Sequence, residues 1–157
     1  LYTALQTGVI DATEWVGPYN DLAFGFQQIA KYYYFPGWHE PGSMLEFIIN
    51  LDAWNELPTH LQSIVKTAAK AVNQDLLDEY TAMNNQALRE LIDVHNVQLK
   101  KLPDDVINEF RVISKSVLDE IAENDNQFKS IYESYLKFKS EVVSYHEISE
   151  DAYTKIR

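Results

Sequence analysis

Glu14 and Glu40 flank tryptophans, in the words EW (Glu14, Trp15) and WHE (Trp38, His39, Glu40). The second word lies inside YYYFPGWHEPG, Tyr32 to Gly42, where rings crowd one carboxylate and two Pro-Gly pairs bend the chain. A turn has no need of the rings, and a core strand has no use for the glutamate. Two carboxylates in an aromatic cleft can serve as the acid and base of a glycoside hydrolase. They can equally supply oxygen ligands to a hard cation such as Na⁺ or Ca²⁺. The plainer reading is that Glu14 points outward from a strand and Glu40 caps a turn.

Other chemistries find less support. His39 beside Glu40 suggests zinc, but His60, His95 and His146 fall on predicted helices or in the tail. None of them stands at ligand spacing with His39, so a zinc site is not expected. The chain has no cysteine, which removes thiolate metal sites, cysteine nucleophiles and disulfides. It has no H-E-x-x-H, no G-x-G-x-x-G and no phosphate-binding loop, and no serine sits in a G-x-S-x-G context.

Charge narrows the partners. The formal net charge is −11, which repels nucleic acid and anionic membranes. Residues 1–56 carry Asp11, Glu14, Asp21, Glu40, Glu46, Asp52 and Glu56 against Lys31 alone, and the first arginine is Arg89. An anion bound near the aromatic words would need its positive charge from a metal ion or from another part of the protein. No apolar run reaches the roughly 18 residues of a membrane-spanning helix.

The elements that must position these residues read as α/β. Residues 1–7 resemble the end of a helix, with Gly8 at its C′ position. Val9 to Val16 is expected to be a strand, broken at Gly17-Pro18. Asp21 to Lys31 reads as a helix, YYYFPGW as a second strand, and SMLEFIINL as a third, buried on both faces. From Thr59 to His95 apolar residues keep helical spacing with no glycine or proline, predicting a helix of roughly 35 residues and about 50 Å. A short strand over 97–99 precedes a helix from Asp104, loosened at Asn124-Asp125-Asn126, then a further helix toward Tyr145. The tail from His146 is polar and expected to be mobile. The expected organisation is part of an α/β ligand-binding domain over 1–56, a long bracing helix over 57–95, and a C-terminal strand and helices over 96–157. The chain opens on LYTALQTG, mid-helix and without methionine, as an internal or C-terminal piece would.

The words themselves are recognisable. LYTALQTGVIDATEWVGPYNDLAFGFQQIAKYYYFPGWHEPG resembles the solute-binding proteins of TRAP transporters (tripartite ATP-independent periplasmic transporters), of the DctP type. NLDAWNELPTHLQSIVKTAA resembles their passage from strand to long helix. EWVGPYND and YYYFPGWHE are most similar to the subgroup that binds 2-oxo acids and related carboxylates, such as pyruvate or lactate. The likeness covers essentially the whole chain and is strongest from Leu1 to about Ala71.

The resemblance implies a two-domain α/β clamp that closes on a small organic anion without catalysis, of which this chain is the C-terminal part. It implies a Na⁺ or Ca²⁺ ion bridging the substrate carboxylate, with the Trp15 backbone carbonyl and the Glu40 carboxylate as ligands. Trp15, Trp38 and Glu40 would then form the substrate site, with Trp38 as a cleft wall. A glutamine ligand and a substrate-clamping arginine would precede Leu1. The partners implied are the membrane permease and, through an exchanged C-terminal helix, a second copy of the chain, all in the periplasm. Two other functions remain open on the residues alone: a glycosidase-like hydrolase using Glu14 and Glu40, and a helical interaction module built on the long helix.

Overall fold

The computed structural model describes residues 1–157 except Pro41, Ser43 and Met44. The chain divides into two compact units, Leu1–Leu102 and Pro103–Arg157.

The first unit begins with α1, Tyr2–Gln6, which stops at Gly8 as expected. Gly8 takes φ 72, the left-handed conformation that glycine reaches without steric penalty. The expected strand over residues 9–16 does not form: the segment is irregular throughout. Among the described residues its apolar ends pair with no strand. The next helix starts earlier and ends sooner than the sequence suggests. Pro18 occupies the first position of α2, Pro18–Ala23, where its missing N–H is no loss. Gly25, at φ 78, then turns the chain into a 3₁₀ turn over Phe26–Gln28.

β1, Tyr32–Phe35, is the expected second strand, cut at Pro36 after a cis Phe35–Pro36 peptide. It pairs in parallel with β2, Gln98–Lys101, in the register Tyr33↔Leu99. Bonds from Gln98 N–H to the Lys31 carbonyl and from Leu102 N–H to the Phe35 carbonyl, 2.8 Å each, extend the ladder at both ends. The expected third strand is not seen over 45–50, which is irregular and mostly exposed, while its Ser43 and Met44 lie outside the described residues. Asn50 instead caps α3, Leu51–Glu56, accepting from Ala53 N–H at 3.1 Å.

The long helix is α4, Thr59–Asp93, within two residues of the prediction. Its C-terminal half carries the core. Ala87 and Leu91 are buried together with Phe26 and Val97. α2 packs on α4, where Tyr19 meets Tyr80 edge-on at 5.8 Å between ring centroids. The N-terminal half of α4 leaves Ile64 and Val72 exposed. Asn96, at φ 57, turns the chain from α4 into β2, and Val97 N–H bonds the Leu91 carbonyl at 2.9 Å.

The second unit is helical. α5, Asp104–Asn124, opens on Asp104 and Asp105, whose charges suit the helix N-terminus. Asp125 ends it and starts α6, Asn126–Ile148, by accepting from the N–H groups of Gln127 and Phe128 at 2.8 and 3.0 Å. The tail is ordered against expectation: Glu150–Ile156 forms α7. Its acids face His146, whose ring nitrogens lie 3.1 Å from Glu150 and 3.3 Å from Asp151. These contacts cross Ser149, which ends α6 and starts α7.

Candidate cation site

Two irregular segments of the first unit carry the residues singled out by the sequence. The earlier one, Thr13 to Gly17, is held from several sides. The Trp15 indole tilts against Phe24 at 5.1 Å between centroids, and Phe24 stacks on Phe26 at 5.9 Å. Just beyond, Tyr19 N–H donates to Asn84 Oδ1 at 2.9 Å, which fastens the Gly17-Pro18 turn to α4. The Gly17 Cα lies so close that an added Cβ would stand 3.2 Å from the same Asn84 oxygen. Thus α2 and α4 together fix where Glu14 and Trp15 stand.

The later segment, Pro36 to Glu40, leaves the end of β1. Trp38 and His39 pack ring against ring at 5.2 Å. Here the structure brings together what the sequence left apart. His39 Nε2 lies 3.6 Å from Glu14 Oε2. Glu14, His39 and Glu40 each offer one donor atom, and all three atoms lie within 4.8 Å of one another. Both candidate carboxylates are therefore in one cluster, and His39 joins them through an acid rather than through another histidine. All three side chains are exposed, as are Trp15 and Trp38 at 41% and 44%. The rings border an open surface in this structure.

The donor set fits a cation. Two carboxylates within a few ångströms repel each other unless a positive charge lies between them. Carboxylate oxygens with a neighbouring backbone carbonyl are what a hard cation takes. Glu40 would offer such a cation its carboxylate and Trp15 its carbonyl, with Glu14 and His39 beside Glu40.

One feature of the site had no signal strong enough to find in advance. Asp21 is buried, 8% exposed, and accepts a 2.6 Å hydrogen bond from the Tyr33 hydroxyl. Burial pushes the Asp21 carboxyl above its ordinary range, opposed by the Tyr33 bond and by the N–H groups of Val16 and Gly17. The Tyr33 hydroxyl is pushed well above its usual range, by burial first and then by its acid partner. In the sequence Asp21 is one acid among many, and Tyr33 the middle of three tyrosines.

Residues 1–125 match the family model of bacterial extracellular solute-binding protein, family 7, called DctP. The chain belongs to this family. Over 153 residues it is 38% identical to a monocarboxylate 2-oxoacid-binding periplasmic protein of Nostoc sp. strain PCC 7120, covering 98% of this chain and 42% of that protein. It also superposes on the crystal structure of a TRAP transporter solute binding protein from Bordetella bronchiseptica RB50 with a TM-score of 0.91 at 33% identity. That match covers 99% of this chain and 46% of the other. The Bordetella protein is described as a mixed-occupancy dimer, with copurified calcium and picolinate in one active site and the other site apo. The DctP chain thus spans under half the length of both relatives, and its fold is that of an α/β solute-binding protein in part. A few short strands followed by long helices were legible beforehand as that fold class, and the structure adds that the two described strands are parallel.

Proposed function

We propose that the protein carrying this chain is the periplasmic solute-binding subunit of a TRAP transporter. It captures a small monocarboxylate, a 2-oxo acid such as pyruvate or the related lactate, and delivers it to the membrane permease. Glu40, by its carboxylate, and Trp15, by its carbonyl, hold a Ca²⁺ or Na⁺ ion that bridges to the substrate carboxylate. Trp15 and Trp38 border the substrate.

The observation that carries this reading is the convergence of Glu14, His39 and Glu40 within 4.8 Å in a segment almost without basic residues. Such a surface repels a carboxylate unless a cation intervenes. The relatives supply the ligand chemistry. A 2-oxo acid presents a carboxylate beside a carbonyl oxygen, and picolinate a carboxylate beside a ring nitrogen. Both can chelate one cation through a five-membered ring. Glu40 and the substrate bring two negative charges, with Glu14 a third close by, which a divalent ion balances better than a monovalent one, so Ca²⁺ is favoured. A homodimer through the C-terminal helices is part of the same reading. It is supported by an exposed apolar row on α6, Ile131, Tyr135, Phe138, Val142 and Tyr145, and by the dimer described for the Bordetella relative.

A tryptophan-fluorescence titration of the intact protein with pyruvate tests the proposal, repeated after chelation and with Ca²⁺ or Na⁺ restored. Glu40→Gln is expected to weaken both cation and pyruvate binding by more than about 100-fold, beyond what losing an outer partner of a metal ligand does. If Glu40→Gln keeps its pyruvate affinity, the site is elsewhere. Pyruvate recovered unchanged after saturation is the expected result. Turnover of a glycoside panel would instead revive the hydrolase reading of Glu14 and Glu40.

A further inference from the structure

A carboxylate as buried as Asp21 is costly unless polar partners replace its water. Its partners come from two directions. From one side the Tyr33 hydroxyl donates to Oδ2 at 2.6 Å. From the other its own backbone N–H donates to the Gly17 carbonyl at 2.9 Å, while Oδ1 has no hydrogen-bond partner among the described residues. Val16 and Gly17 follow Glu14 and Trp15 directly. Tyr33 sits on β1, from whose end the Trp38–Glu40 segment departs. One residue therefore bonds to both segments that bring donors to the cluster, by its side chain to β1 and by its backbone to Gly17. Each segment is anchored again behind it, β1 by its register with β2 and the Gly17 turn by Asn84 on α4.

We propose that Asp21 is a positioning residue for the cation site: gripped by Tyr33 and facing the turn after Trp15, it sets the distance between the Trp15 carbonyl and the Glu40 carboxylate. The inference rests on the cation-bridged reading above and adds a group that touches neither ion nor substrate. The hydroxyl of Tyr33 is the specific part. Its ring fills space whatever Asp21 does, while its O–H has one short bond, to Asp21. A cation site depends on ligand spacing within a few tenths of an ångström, and partners that orient ligands commonly contribute about 10–100-fold to metal affinity.

The test is Tb³⁺ binding to the intact protein in place of Ca²⁺, with luminescence sensitised by the neighbouring tryptophans, and pyruvate binding read in parallel. Tyr33→Phe keeps the ring and removes the donor. Asp21→Ala removes the acceptor, and Asp21→Asn keeps an oxygen that Tyr33 can reach while removing the charge. Tyr33→Phe and Asp21→Ala are expected to weaken Tb³⁺ and pyruvate binding about tenfold or more. Their Tb³⁺ lifetimes in H₂O and D₂O should report additional bound water. Asp21→Asn should stay close to wild type. Leu91→Ala, a destabilising change in the α4 core, should lower the melting temperature without changing either affinity. If Asp21→Ala fails to fold, Tyr33→Phe, checked by circular dichroism, carries the test. Wild-type affinity and lifetime in Tyr33→Phe would overturn the positioning role alone. So would an Asp21→Asn variant as weak as Asp21→Ala, because charge and not spacing would then be the cause. A wild-type protein that binds neither Tb³⁺ nor pyruvate would overturn the cation-bridged function, and the positioning role with it.

Discussion

Asp21 illustrates how a single acid can work against stability while serving a site. Burial raises its pKa from the ordinary 3.8, so the folded chain holds its proton to a higher pH than the unfolded chain does. The sign follows from linkage: where the native state binds more protons, stability falls as pH rises. The contribution is thus fully present below the ordinary aspartate range and lost as pH climbs through the raised native value. Asp21→Asn is expected to flatten that part of the stability curve, measured as urea midpoints from acid to neutral pH. A curve as steep as wild type would mean that another group titrates there. Tyr33→Phe removes a bond that lowers the Asp21 pKa, so its loss of stability should extend to higher pH. Glu14 and Glu40 were legible as candidates from the rings beside them, and Trp15 as a ligand only through the family resemblance. The Glu14–His39 approach was not, because it joins residues on two irregular segments whose meeting depends on β1 and α2 being set first.

Elements were legible in proportion to how locally they are determined. α4 and α5 carry uninterrupted apolar spacing and appear where that spacing puts them. The strands expected over 9–16 and 43–51 rested on apolar content alone, and a strand needs a partner that local sequence does not reveal. Where β1 found one, in β2, the strand formed. α7 was missed for the opposite reason: a polar tail gives no apolar signal, and the contacts of Glu150 and Asp151 with His146 cross the Ser149 junction, which no local pattern announces. The row on α6 belongs to this scale. Ile131, Tyr135, Phe138, Val142 and Tyr145 recur at helical spacing, and Phe138 is 62% exposed. Phe138→Ser is expected to weaken the proposed dimer by about 2 kcal/mol or more, as loss of a central aromatic anchor does. Sedimentation velocity should then show monomer where the wild type shows dimer. Identical sedimentation of the two would place the interface off α6.

At the scale of the whole molecule the proposed function makes the cation the source of positive charge that this chain, at a net charge of −11, does not supply near its acidic cluster. Ca²⁺ at about 100 times its dissociation constant is expected to stabilise the intact protein by about 2.7 kcal/mol, and chelation to remove that gain together with pyruvate binding. A melting temperature indifferent to Ca²⁺ and to Na⁺ would leave the acidic cluster without its proposed occupant. The sheet holds a further consequence, one of time. β1 and β2 are parallel neighbours, yet all of α3 and α4 lies between them in the chain. Helices close within about a microsecond, whereas pairing across so long a span must wait for distant segments to find each other. Glu40 departs from the end of β1, so the donor cluster is among the last things the chain completes as it folds. On the proposed function, the chain would form its helices well before it could hold an ion, and the pairing of Tyr33 with Leu99 would precede competence.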